Sequence, residues 1–378
     1  MDYIRVIENE TSVKKIGVFS EPLKTRYGIA DMIVRPQYSV FDWGKMPMPE
    51  GKEIDNRSLV VVTAYNFELA EAEGIETHYL AAIDENGKTF NIDDMKKSSK
   101  IPAGIKVKFV NKFLPKFENG GYDYSIFQNP PANNYIVPLE FIFRNELPPE
   151  SSLWKAFESD EFKLSDFGLP ADIKPGDKLP HPILDYTSKF ESKDNRYKSD
   201  QARMLAGISE KNWNEINQKT LVINRLLTEH AKEIGIEHQD GKIEYVTISD
   251  IYGHKYIVGD FAGTWHEDRW TKNINGKAFK ISKQLERDFN LLLNKEWVKD
   301  CERAQVEAKE KGIHDWRPLV KIPPKPLEPE FFDHYNNITR AATNLWVGFD
   351  LFGASPLDEA LIEGQKYFED YKSRLQGT

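Results

Sequence analysis

A single cysteine, Cys301, stands in 378 residues, so no disulfide within the chain is available and a zinc site built on several thiolates is excluded. A cytoplasmic location is expected. Long apolar runs are missing too: Met1 to Lys15 is polar and acidic without an apolar core, and no later window approaches the roughly 18 apolar residues that span a bilayer. No membrane partner is expected. Positive charge is not in excess, with 51 Lys and Arg against 60 Asp and Glu for a net -9, so no global basic field exists to hold nucleic acid. Anionic ligands would need local cations. No internal repeat is evident, and no serine or cysteine triad stands out, since Cys301 lies among charged helical residues.

The length exceeds one comfortable core and suggests two lobes with a site between them. Asp31 to Arg35 reads as a strand stopped by Pro36, and Ser58 to Glu73 as a helix stopped by Gly74. Ile75 to Ile83 and Thr89 to Ile92 flank an Asn86-Gly87 turn, giving a hairpin. Ile105 to Phe113 and Tyr135 to Arg144 read as strands, separated by a Gly-, Asn- and Pro-rich insertion over Phe117 to Asn134. Ser209 caps the clearest helix, with Trp213, Ile216, Ile223, Leu227 and Ile234 at helical spacing and Gly235 as its stop. Lys242 to Ile248 and Lys255 to Val258 form a hairpin across Tyr252-Gly253, which brings Lys242, Glu244 and Asp260 together. Ser282 to Lys311 reads as one long charged helix, Pro318 to Pro329 as a connector, and Glu330 to Leu345 as helix.

Several segments carry chemistry, each with a plainer alternative. Tyr38 to Pro47 sets Ser39, Asp42 and Gly44 in a loop after a strand, which suits a ligand loop or a tight turn closed on its own backbone. Glu140 and Arg144, followed by Ser151 and Ser152, suit a phosphate monoester or an Arg144 to Glu140 ion pair. Lys242 and Glu244 share a strand face with Asp260 at the partner strand's end, which suits magnesium with a nucleotide phosphate or an exposed cross-strand ion pair. Arg269 stands beside Trp270, which can orient a guanidinium, while His266 has no visible partner and receives no catalytic role.

Read together and in order from about Lys15 to Gly348, these segments resemble the phosphoribosylaminoimidazole-succinocarboxamide synthase (SAICAR synthetase) family. Tyr38 to Lys52 is similar to its substrate loop, with Pro49-Glu50-Gly51-Lys52 for its Pro-Glu-Lys-Gly turn. Val137 to Arg144 with Ser151-Ser152-Leu153 is similar to its Pro-x-Glu-x-x-x-Arg and Gly-Ser-Leu pair. Thr187-Ser188-Lys189, Asp240 to Glu244, Asp260, Arg269-Trp270 and Lys283 to Asp288 follow at the family's stations, and Pro326 to Gly348 is similar to its final helix.

The resemblance implies an α+β, two-lobed fold with ATP between an N-terminal antiparallel sheet lobe (1–136) and a larger α+β lobe (137–378). It implies that ATP phosphorylates the carboxylate of carboxyaminoimidazole ribonucleotide and that L-aspartate then attacks the acyl phosphate, with Mg2+ required. Arg144, Ser152 and Arg269 would grip the ribonucleotide phosphate, and Ser39, Asp42, Glu140 and Lys189 would lie near ribose, aminoimidazole or aspartate. Lys242, Glu244 and Asp260 would manage ATP, with Glu244 and Asp260 on the metal. A homo-oligomer is allowed but not required. The chain also departs from the family: Val18 stands where a phosphate-covering lysine is expected near Gly17, leaving Lys15 or Lys24 to replace it. Phe261 follows Asp260 where a glutamate is common, Ser151 replaces a glycine, and Phe117 to Asn134 and Leu291 to Arg317 have no counterpart. Asp240-Gly241-Lys242 and Asp260-Phe261-Ala262 also match inositol polyphosphate kinase signatures, but a kinase reading does not account for Tyr38 to Lys52 or Thr187-Ser188-Lys189; the departures at Val18 and Phe261 suit a non-catalytic nucleotide-binding module.

Overall fold

Alternation of apolar and charged residues near the N-terminus builds antiparallel strands, as a period of two requires: β1 (Arg5–Glu8), β2 (Lys14–Ser20) and β3 (Gly28–Val34). The computed structural model describes residues 3–8, 13–250 and 253–377, so Tyr252 of the expected hairpin turn lies outside the described residues. Helix α1 (Arg57–Ala72) begins at Asn56, whose side-chain amide donates to the carbonyls of Arg35 and Gln37, and it ends before Gly74 at φ 78°. There follow β4 (Tyr79–Ile83), β5 (Thr89–Phe90), α2 (Ile92–Ser98) and β6 (Gly104–Phe109). The strands form a six-stranded sheet in the order β1-β2-β3-β6-β4-β5. Val18, Ala30, Met32, Ile105 and Val107 are buried in the core.

The glycine-rich insertion contains a small hairpin of its own, β7 (Lys116–Glu118) with β8 (Gly121–Asp123). The second sheet then opens with β9 (Ile136–Glu146), α3 (Ser152–Glu158), β10 (Lys178–Ser188), β11 (Arg196–Tyr197), α4 (Ser199–Leu205) and α5 (Glu210–Glu233). It is completed by β12 (Glu237–Asp250), β13 (Gly253–Gly259), β14 (Arg269–Ile274) and β15 (Lys277–Lys280). Its order is β11-β10-β9-β12-β14-β15, with β13 paired to β12, so β9 and β12 are central and their side chains face the site. The Ser209 cap of α5 is present, its hydroxyl accepting from the Asn212 amide at 3.3 Å.

The long helix expected over Ser282 to Lys311 is two, α6 (Gln284–Leu293) and α7 (Lys295–Lys311). Asn294 breaks it: at φ -110°, ψ 36° its side chain donates to the Lys325 carbonyl at 3.1 Å and accepts from the Lys325 amide at 2.8 Å. That tie to the connector outweighs helical periodicity. Helices α8 (Pro329–Val347) and α9 (Leu357–Gln376) close the chain. The two sheets meet where the His78 amide donates to the Val258 carbonyl at 2.7 Å and Val258 donates back to Glu76 at 3.1 Å. Asn66 on α1 fixes the junction further, donating to Ala262 O at 2.9 Å and accepting from the Trp346 indole at 2.9 Å. Among the described residues no helix is long and apolar enough to cross a membrane.

Candidate active site

The register of β12 against β13 places Glu244 opposite Gly259, so Asp260 leaves the strand beside Glu244. Asp260 is left-handed, at φ 59°, a conformation a non-glycine residue holds only when its surroundings enforce it. Its carboxylate accepts from Lys14 of the first sheet, an ion pair across the lobes, and Lys14 also lies over the Phe261 ring at 4.7 Å. Lys189 pairs with Glu244, and Lys242 reaches Glu140 at 2.6 Å, Glu267 at 3.1 Å and Glu244 at 3.5 Å. Burial by itself would raise the Asp260 carboxyl, but Lys14, Lys189 and Lys242 hold it well below the usual carboxylate range. Burial would likewise lower the Lys242 ammonium, yet Glu140, Glu267 and Glu244 keep it well above its ordinary value. Lysines and carboxylates here hold one another in pairs, an arrangement ready to exchange partners with an incoming polyanion and cation.

Next to this cluster lies a cavity of about 460 Å3, and its far wall is cationic. Gly241 allows it to form: β12 bulges between His238 and Asp240, and a Cβ at Gly241 would stand 2.2 Å from the buried Asp268 carboxylate. The bulge directs Asp240 toward two guanidiniums, accepting from Arg269 Nη1 at 2.6 Å and Arg144 Nη1 at 3.0 Å. Arg144, only 2% exposed, also donates to Asp185 at 2.8 Å and to Ser151 at 3.1 Å. Most of its donors are thereby taken. Arg269 is less engaged, donating otherwise to Gln284 at 3.1 Å. Arg287 also lines the cavity and has no hydrogen bond or ion pair from its side chain among the described residues. Lys283 beside it is pushed down to about 7 by burial and by Arg287 and Arg269, against the pull of Glu267. Ser152 accepts from Arg196 at 3.0 Å at the same wall.

The mouth is made by two loops. Phe41 and Asp42 are consecutive left-handed residues, each at φ 56°, and the turn is braced by rings: Trp43 meets Trp297 at 5.7 Å and Trp316 at 6.0 Å, and Phe41 meets Trp297 at 6.1 Å. The second loop, after β10, carries Lys189, Glu191, Ser192 and Asp194. Trp316 Nε1 donates to the Ser192 carbonyl at 3.0 Å, and the Tyr122 hydroxyl accepts from the Ser192 amide at 2.9 Å. Phe117 and Tyr122 in turn pack against His314, so the two insertions meet each other and hold both mouth loops.

The SAICAR synthetase family profile matches residues 28–304. A putative phosphoribosylaminoimidazole-succinocarboxamide synthase of Archaeoglobus fulgidus is 34% identical over 95% of this chain and 99% of its own length. The chain belongs to the SAICAR synthetase family. A phosphoribosylaminoimidazole-succinocarboxamide synthase of Thermoplasma volcanium is 27% identical over 63% of this chain and 71% of its own. In fold, the SAICAR-synthase from Saccharomyces cerevisiae, complexed with SAICAR, superposes with a TM-score of 0.59 at 16% identity, covering 91% of this chain and 95% of that one.

Of the residues that the family likeness singles out, Ser39, Asp42, Glu140, Arg144, Ser152, Lys189, Lys242 and Arg269 all line the one cavity, and Glu244 and Asp260 adjoin it through Lys189 and Lys242. Two others lie apart from the cavity. Lys15 and Gly17 lie on the β2 face turned away from Asp260: Lys15 is 3.5 Å from Glu8, and a Cβ on Gly17 would meet the Tyr3 ring at 2.4 Å. The lysine facing the cleft is Lys14, one position away, because side chains alternate along a strand. An Arg144 to Glu140 ion pair is not formed; Arg144 pairs with Asp185 and Asp240, and Glu140 with Lys242. Glu267, Lys283, Arg287 and Arg317 were not singled out individually, though Lys283 and Arg287 fall within a family-like run; the other two come together only in three dimensions. His266 lines the cavity, but burial pushes its imidazole down to about 4, so it is neutral.

Proposed function

We propose that the chain joins L-aspartate to carboxyaminoimidazole ribonucleotide at the expense of ATP, forming the amide through an acyl phosphate. The observation that carries this is the adjacency of two differently charged compartments: a cation-walled cavity sized for a mononucleotide and a lysine–carboxylate cluster at its edge. A carboxylate is a poor electrophile until one oxygen becomes a leaving group. The carboxylate oxygen takes the terminal phosphoryl group and ADP leaves; the aspartate amine then attacks the carbonyl carbon, the C–O bond to phosphate breaks, and the amine proton passes to the mouth carboxylates or water. Three anionic reactants must be brought together, so positioning and charge neutralisation dominate the catalysis.

Arg269, Arg287 and Lys283, backed by Asp240 and Arg144, supply donors for the ribonucleotide phosphate. Lys14 and Lys242 are placed to move from their carboxylates to the ATP phosphates. Mg2+ fits the donors here: Glu244 and Asp260 offer hard oxygens, and magnesium commonly takes one or two carboxylates with substrate phosphates rather than a full protein cage. The metal would neutralise charge on the phosphates. The two-lobed division at about residue 136 belongs to the same reading, with ATP between the sheets.

The test is ADP release by purified protein with ATP, magnesium and the ribonucleotide, with and without aspartate. Aspartate-dependent release with a stoichiometric amide product is expected. Turnover with a polyol and no aspartate would make the chain a kinase instead, and nucleotide binding without turnover would make it a binding module.

A further inference from the structure

The mouth of the cavity carries charges of both signs. Asp42 and Asp194 line it and are solvent-accessible, and Arg317 enters the same cavity from the segment after α7. Arg317 Nε donates to the Asp42 carbonyl at 2.7 Å and Nη1 to Asp315 at 3.0 Å, which aims the guanidinium while leaving Nη2 without a protein acceptor among the described residues. Arg317 lies beyond residue 304, where the family match ends, and belongs to the segment without a counterpart in the resemblance. The strained Phe41-Asp42 turn that it grips is held by Trp297 and Trp316 of the same insertion.

We propose that Arg317, Asp42 and Asp194 form the subsite for the incoming amino acid, the guanidinium binding a carboxylate and the two acids the ammonium. This rests on the ligase reading above. A mouth of mixed sign suits a zwitterion. The inner wall, where Arg269, Arg287 and Lys283 gather, suits a phosphate dianion, so the two anionic small molecules are sorted by depth. The amine attacks an intermediate already formed inside, and the exposed Asp42 and Asp194 lie where the amino acid would approach it. Burial, opposed first by Arg287, raises the Asp42 carboxyl, and burial with the charges of Glu140 and Asp42 raises that of Asp194 to about 8; an arriving ammonium would favour the charged form of each.

Initial rates on the full-length chain test this. In Arg317→Gln the KM for aspartate is expected to rise on the order of tenfold or more, with kcat and the KM values of ATP and ribonucleotide within about twofold. The preference for aspartate over asparagine, measured as a ratio of kcat/KM, should fall in parallel. Arg317→Lys should recover part of both. Trp316→Phe removes the bond to Ser192 while keeping an aromatic ring beneath the Arg317 guanidinium, which separates loop support from recognition. If Trp316→Phe raises the aspartate KM as much as Arg317→Gln does, or if Arg317→Gln raises all three KM values together or none, the subsite assignment is overturned. A wild-type chain with no aspartate-dependent turnover would instead reject the ligase reading on which it stands.

Discussion

Lys283 is a residue whose charge the protein sets close to neutral pH. With its ammonium pushed down to about 7 by burial and by Arg287 and Arg269, it loses its proton near neutrality. A phosphate monoester prefers the protonated form, so kcat/KM for the ribonucleotide, which reports the free enzyme, is expected to fall as pH rises from 7 to 9. Lys283→Met should lower that parameter and flatten its alkaline limb; a limb that persists in the variant would assign it elsewhere. Folding shows the opposite sign. The folded value lies below the ordinary lysine value of about 10.4, so between pH 7 and 10 the unfolded chain holds more protons and this residue makes the unliganded protein more stable as pH rises. A second contrast is between neighbours: Lys14→Met should cost on the order of 100-fold in kcat/KM for ATP, by analogy with loss of one fixed donor to developing charge. Lys15→Met, on the outer face beside Glu8, should leave it within about twofold. Equal effects would contradict the facing of β2.

Among elements, α5 was legible because cap, period and glycine stop all agree within one stretch, and the β12–β13 pairing because alternation and a turn signal coincide. The break at Asn294 was not legible, since its cause is a pair of hydrogen bonds to Lys325, 31 positions away. Helix α9 lies past the likeness to the family's last helix and is fixed by packing, with Phe368 and Tyr371 against Phe289 of α6. Site residues separate in the same way. Those on β9 and β12 could be named from strand alternation, whereas choosing Lys14 over Lys15 needed the sheet's facing, and Arg317 needed the insertion's path. Helix α7 is therefore expected to act on substrate binding from outside the cavity. Trp297 is 1% exposed and touches both Phe41 and Trp43, and truncating such a ring costs ~3–5 kcal/mol. Trp297→Leu, a milder change, should lower the melting midpoint and raise the ribonucleotide and aspartate KM values more than that of ATP. A variant with lowered stability but unaltered KM values would reduce α7 to scaffolding.

At the scale of the whole molecule, the Lys14 to Asp260 ion pair ties the first sheet to the second at the place where ATP and magnesium are proposed to bind. Both partners are mostly buried, so the pair is not a screened surface contact, and removing one partner alone unbalances the buried charge around it. Nucleotide with metal would exchange this pair for two others: Asp260 with the cation and Lys14 with a phosphate. Binding should then stabilise both lobes together. A ligand present at about 100 times its Kd adds ~2.7 kcal/mol, which for a chain of several hundred residues raises the melting midpoint by several degrees. That rise is expected with ATP and magnesium and should shrink when EDTA removes the metal. Asp260→Asn should melt lower than the wild type without ligand, because the ion pair between the two sheets is lost; the informative quantity is therefore the ligand-induced increment and not the midpoint itself. In this variant the increment should be small and the same with or without magnesium. If the wild type gains equally in EDTA, Asp260 is not a metal ligand and its carboxylate serves only to pair Lys14. If Asp260→Asn keeps a magnesium-dependent increment, the cation is held by other oxygens, with Glu244 the first to examine, since it stands beside Asp260 across the β12–β13 register.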